Sequence, residues 1–174
     1  MAVPYRRMAP TGRGRSVAYL KVHRVAQGRV LFGALLLLDA YGHPQEFIHN
    51  RLSLPGGFLW PEERVLPAGL TALCHSLFDA PRVEPDLLLA ETDLAGSGFR
   101  LQDLAPSVPF GVVGSGPGGS PEVSWVNGTP GLGLPATQMV EDLAGRNLLV
   151  EPFERALQGL TEAYGAVMGP TDAQ

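Results

Sequence analysis

The chain has 174 residues, 45% hydrophobic and 17% charged, with a formal net charge of −4 and a mean hydropathy of +0.08. These values describe a single folded domain and exclude global disorder. The longest apolar run, which ends at Leu38, is far short of the ~20 residues a bilayer span needs, and one cysteine, Cys74, rules out an internal disulfide or a thiolate metal cage.

The chain opens on a basic arm over residues 1–16. Residues 1–30 carry +7 with no acid, whereas the remainder carries −11, so the modest total conceals a polarised distribution. Arg6, Arg7, Arg13 and Arg15 sit among prolines and glycines. Such an arm suits a polyphosphate partner, DNA or RNA; it equally suits a solvated tail or an arm that docks on the acidic remainder. No stretch here combines a charged region, an apolar core and a small-residue cleavage site, so a cytoplasmic protein without a membrane partner is expected.

Val17 to Val25 alternates loosely and predicts a strand. Gln27-Gly28 turns into a second strand, Val30 to Leu38, whose unbroken apolar run predicts burial on both faces. A turn at Asp39 to Gly42 leads to a third strand near Glu46 to Leu52. Strands joined this closely form an antiparallel meander, because parallel neighbours need a crossover. Pro61-Glu62-Glu63 opens a helix with an apolar stripe at Leu66, Leu70, Leu73, Cys74 and Leu77, and Pro67 is expected to bend or displace its first turn. Asp86 to Ala90 predicts a short buried strand, parallel to its neighbour through a right-handed crossover. Val108 to Val113 and Glu122 to Val126 predict two more strands, separated by the hairpin loop or linker Gly114 to Ser120. Helices are expected over Ala136 to Ala144 and Pro152 to Met168, followed by a disordered tail at 169–174. The sum is a single α/β domain over residues 17–168, a three-layer mixed sheet beginning with an antiparallel three-strand meander.

Histidines 23, 43, 49 and 75 show no metal-ligand spacing, and Cys74 lies on the apolar stripe as a packed thiol. Carboxylates are the better lead. Glu91 and Asp93 follow the fourth strand, at the carboxyl edge where parallel sheets collect their ligands. Glu62 and Glu63 begin the first helix, and Asp39 ends the second strand. Their plain readings are dipole partners, a cap and a turn residue; converging, they would suit Mg²⁺.

Several phrases run in one order over about residues 17–160. They are Leu54-Pro-Gly-Gly-Phe-Leu-Trp-Pro-Glu-Glu63 before a leucine-rich helix, Pro85-Asp-Leu-Leu-Leu-Ala-Glu91, Val108-Pro-Phe-Gly-Val-Val-Gly-Ser115, Val123-Ser-Trp-Val and Val150-Glu-Pro-Phe-Glu-Arg-Ala156. Together with the element order they resemble endonuclease V, a nuclease family with an RNase H-like fold. The resemblance implies a catalytic glutamate at Glu62 or Glu63 and puts Glu91 where the family has a catalytic aspartate. Asp93 would stand beside it, with Glu91, Asp93 and Glu63 as the metal ligands. The departures are specific. No acid precedes Asp39, so Ser16 or a neighbour takes the place of the family's first-strand aspartate. Gly114 stands where a lysine is expected, and Ser53 where an aromatic wedge would separate bases.

The leading expectation is a catalytically degenerate endonuclease V-like domain that acts as a nucleic-acid- or protein-binding module and needs no cofactor. One alternative is a divergent Mg²⁺-dependent nuclease in which Glu62, Glu63, Glu91 and Asp93, with Asp39, rebuild the site. The other is a structural or assembly module of unrelated ancestry.

Overall fold

A computed structural model of the chain describes residues 14–25, 29–56, 60–95, 99–104, 106–126 and 135–168. Arg6, Arg7 and Arg13 of the expected arm, and the expected tail at 169–174, lie outside these residues.

The elements follow the predicted order. Strands β1 (Ser16–Val25), β2 (Val30–Asp39) and β3 (Pro44–Ser53) are antiparallel neighbours. Helix α1 (Glu62–Phe78) crosses over to β4 (Leu87–Glu91), which pairs with β1 in parallel. Strand β5 (Phe110–Ser115) runs parallel to β4, and β6 (Pro121–Trp125) returns antiparallel to β5. Helices α2 (Pro135–Gly145) and α3 (Glu151–Met168) complete the chain. The sheet order is β3-β2-β1-β4-β5-β6, so the two strands richest in apolar residues, β1 and β2, lie inside and are covered on both faces.

Strand alternation divides the core in two. Ala18, Leu20, Leu31, Leu35 and Leu37 point to one face and pack under Leu66, Leu70, Leu73 and Leu77 of α1. Val17, Tyr19, Phe32, Leu36 and Leu38 point to the other, under Met139 and Leu143 of α2 and Phe153, Ala156 and Leu160 of α3. Each fully buried leucine contributes about 1.5–3 kcal/mol relative to exposure. The unbroken apolar run in β2 follows from this double covering, and every residue from Leu31 to Leu38 is buried.

Two details differ from expectation for local reasons, at Ser16 and at Pro67, while the expected hairpin loop after β5 is present. Ser16, taken as the end of the arm, is the first residue of β1 and is buried, held by Ser16 N–H to Asp86 Oδ2 at 2.8 Å and Ser16 Oγ to the Glu84 carbonyl at 3.3 Å. Pro67 neither displaces nor ends the first turn; α1 is continuous from Glu62 through it. The carbonyl that Pro67 leaves without a helical donor belongs to Glu63, in the exposed first turn, where a missing intrahelical bond costs little. The glycine-rich stretch after β5 is a compact hairpin turn closed by Gly116 N–H to the Ser120 carbonyl at 2.7 Å. It needs glycine at Gly118 and Gly119, whose φ values are 83° and 81°.

Candidate functional site

The parallel pair β1–β4 defines a carboxyl edge of the sheet. Register places Leu20 beside Ala90, and the next residues, Lys21 and Glu91, form an ion pair across the two strands. Their side chains are 14% and 27% exposed, so the pair is only partly solvated. Alternation turns both toward the α2/α3 face, with Tyr19 and Leu89.

Just beyond, Thr92 Oγ1 donates to the Val113 carbonyl at 2.8 Å and ties the end of β4 to β5. Gly114 lies against Thr92: a Cβ there would stand 3.0 Å from Thr92 Oγ1. The position that the resemblance marks for a lysine is therefore at this edge, without a side chain. Ser53 ends β3 opposite Val30, also at this edge.

Glu63 is exposed in the first turn of α1. That helix packs on the opposite face from the Lys21–Glu91 pair, chiefly over β2 and β3. Glu63 and Glu91 therefore rise from different layers. Glu62 opens α1 and Asp93 lies in a 3-10 turn over Thr92–Ala95; both side chains are outside the described residues. Among the described residues, no three His, Cys, Asp or Glu side chains stand close enough to hold a metal ion. The described donor set does not fit Mg²⁺, which needs anionic oxygens, because its best candidate, Glu91, already faces an ammonium.

Two residues that the sequence offered to this site belong elsewhere. Ser16 faces Asp39 at the opposite end of β1 and β2, next to Val17 and Leu87. Glu91 is four steps along the strand from Leu87, roughly 13 Å at ~3.3 Å per residue. Lys21, not Ser16, is the first-strand neighbour of Glu91. Asp39 is a turn residue: its Oδ1 accepts the backbone N–H groups of Tyr41 at 2.8 Å and His43 at 2.9 Å, and its Oδ2 meets His43 Nδ1 at 3.0 Å. Partial burial raises the Asp39 pKa, but the hydrogen bonds from His43 and Tyr41 outweigh it and hold the carboxyl below its ordinary value.

The remaining candidates serve packing. His49 Nδ1 lies 2.9 Å from Tyr164 Oη, and burial lowers the histidine below its ordinary value. Cys74 is fully buried, and burial pushes its thiol up to about 12, as a packed thiol requires.

Arg15 is exposed where the chain enters β1, at the edge remote from Glu91. The carboxyl edge has cations of its own. Arg24 near the end of β1, Arg29 at the start of β2 and Arg64 in the first turn of α1 are all exposed. Trp60, just before α1, is 56% exposed. These four were not singled out from sequence. The available signal was that arginines flank the β1–β2 turn and the helix start, at one end of the predicted sheet.

No family model matches the chain, and neither does any curated protein. Among solved structures, the chain is similar to the endonuclease V of Streptomyces avermitilis at 13% identity and a TM-score of 0.57, over 92% of this chain and 86% of that one. A second similar structure, the endonuclease V of Bacillus subtilis, aligns at 13% identity and a TM-score of 0.40 over 57% of this chain and 43% of that one. The first shows an endonuclease V-like fold for nearly the whole chain.

Proposed function

We propose that this endonuclease V-like fold serves as a catalytically degenerate binding module, for nucleic acid or for a protein partner, and that it works without a cofactor in the cytoplasm. The observation that carries the reading is the Lys21–Glu91 pair. A lysine ammonium beside the carboxylate satisfies it locally and repels a divalent cation, so the edge is stable without metal. Gly114 removes a further cation from the position that the resemblance would use for phosphate charge.

Nucleic acid is the partner better supported by the surface. Exposed Arg24, Arg29 and Arg64 offer phosphate contacts, and Trp60 offers a ring on which an unpaired base can stack. Arg15, exposed at the other end of β1, and Arg6, Arg7 and Arg13, which precede it in sequence, add sequence-independent attraction. No helix among the described residues is long and apolar enough to cross a membrane.

The test is made on the full chain with single-stranded, mismatched and inosine-containing DNA and RNA, in Mg²⁺ and in Mn²⁺. The expected result is salt-dependent binding without cleavage. Cleavage that Glu91→Gln abolishes overturns the reading in favour of the metal-dependent nuclease, with Glu62, Glu63, Glu91 and Asp93 as its first suspects. Binding to none of these substrates at low salt removes the nucleic-acid reading and leaves a protein-binding or assembly module.

A further inference from the structure

A cleft of about 510 Å³ opens on the α1 face of the sheet, between the end of α1 and the segment after β4. This is the end of β1 and β4 remote from Glu91. Its floor is apolar, with Ala18, Leu35 and Leu88 contributed by three adjacent strands, and Leu104 and Val108 forming one wall. Its volume is that of an ordinary ligand pocket. Asp79 and Glu84 stand among its lining residues, with Arg82 and His75 the only basic types there.

The chain itself arrives at this cleft. Ser16 Oγ donates to the Glu84 carbonyl at 3.3 Å, and Ser16 N–H donates to Asp86 Oδ2 at 2.8 Å, so Gly14 and Arg15 leave β1 beside the acidic rim. The thirteen residues before them carry Arg6, Arg7 and Arg13, no acid, and the apolar residues Val3, Pro4, Tyr5 and Met8. A segment of that composition matches an apolar floor with acids at its mouth. Tethering adds to the match, because a short covalent connection gives an effective concentration on the order of millimolar.

We propose that residues 1–13 occupy this cleft in the same molecule, with the apolar residues around Tyr5 on the Leu35–Leu88 floor and the arginines at Asp79, Glu84 and Asp86. The contact is self-complementary and electrostatically steered. It also sets a second use for the arm's arginines, in competition with any polyanion that recruits them. This assignment goes beyond the binding reading above and does not depend on it.

The experiment uses the full chain with Ala9→Cys, which preserves Val3, Tyr5 and every arginine. Cys74 is buried and its thiol is pushed up to about 12, so a nitroxide reagent reacts at position 9. Methyl NMR in the absence of nucleic acid then reports proximity. The expected result is loss of the Leu35, Leu88, Leu104 and Val108 methyl signals, with those of Leu143 and Leu160 under α2 and α3 retained. Adding Asp79→Arg and Glu84→Arg is expected to restore the lost signals; the Glu84 carbonyl that holds Ser16 survives that change. Retained cleft signals overturn the proposal, as does a loss that the charge reversal leaves in place. A mixture of spin-labelled chains and isotope-labelled, unlabelled-arm chains separates the remaining case: loss that persists there assigns the contact to a second copy and also overturns it. Because nucleic acid is absent, failure here leaves the proposed function to its own test.

Discussion

Lys21 and Glu91, seventy residues apart in sequence, meet across the parallel strands β1 and β4 as a partly buried ion pair. Neither alone is comfortable there, since a charge removed from water without its partner keeps the desolvation cost and loses the attraction. Lys21→Met is expected to destabilise the fold by about 1–3 kcal/mol, and Glu91→Gln by a similar amount. The double variant is expected to cost clearly less than the sum, because both halves of the penalty disappear together. Urea unfolding of the four proteins gives the coupling; strict additivity would mean the pair is not energetically linked.

The same pair shows what a sequence reading can and cannot reach. The burial of β2 was legible because Phe32 to Leu38 breaks alternation, and α1 was legible because Leu66, Leu70, Leu73 and Leu77 repeat at helical spacing. Those patterns are local. The partner of Glu91 depends on strand register: shifting β1 by one residue against β4 would turn Lys21 to the other face. Ser16 or a neighbour was expected in the place of the family's first-strand aspartate because no acid precedes Asp39, and the contacts of Ser16 with Glu84 and Asp86 arise only once the crossover has brought β4 alongside. Asp39 was legible both as a turn residue and as a ligand; the three bonds to Tyr41 and His43 decide for the turn. Arg24, Arg29 and Arg64 belong to no motif, and Trp60 stands in the phrase before α1 whose weight falls on Glu62 and Glu63; the common property of the four is position at one sheet edge.

Tyr19 is fully buried beneath α3, its ring edge-on to Phe153 at 5.3 Å, and its hydroxyl donates to the Leu148 carbonyl at 2.6 Å. Burial raises the phenol above its ordinary value, so at neutral pH it is a donor. Tyr19→Phe keeps the ring packing and removes only the donor. The expected cost is about 1–2 kcal/mol in urea unfolding, with no change in any nucleic-acid affinity. A loss of binding at unchanged stability would place Tyr19 in the functional surface instead.

Acid is expected to weaken the fold in two separate windows. His49 is held below its ordinary value of 6.5 by burial, so the folded state takes up its proton less readily than the unfolded chain. That difference contributes stability above 6.5 and is lost as pH falls through the lowered value. Asp39, held below its ordinary 3.8, contributes above that value and loses its contribution only in stronger acid. His49→Phe, which keeps an aromatic ring beside Phe47 and Tyr164, should flatten the change in unfolding midpoint between about pH 7 and about pH 5. Asp39→Asn should leave that interval unchanged and flatten only the more acidic limb. An unaltered midpoint profile in the His49 variant would remove His49 as the source of the milder acid response.

Gly159 sits in the middle of α3, where helix propensity alone favours alanine by about 1 kcal/mol. Packing argues the other way. A Cβ at Gly159 would stand 2.5 Å from Phe47 Cζ and 2.9 Å from Phe47 Cε1, so α3 approaches β3 across the flat of an aromatic ring. The half-buried ring neighbours His49 with ring centroids 5.6 Å apart, so withdrawing from a new Cβ would disturb that contact and expose more of the ring. Overpacking of this kind costs about 1–3 kcal/mol, enough to exceed the propensity gain. Gly159→Ala is therefore expected to lower the unfolding midpoint, and Phe47→Leu in the same chain to recover part of the loss by relieving the contact. A more stable Gly159→Ala protein would mean that propensity wins and that the α3–β3 approach is looser than the 2.5 Å contact implies.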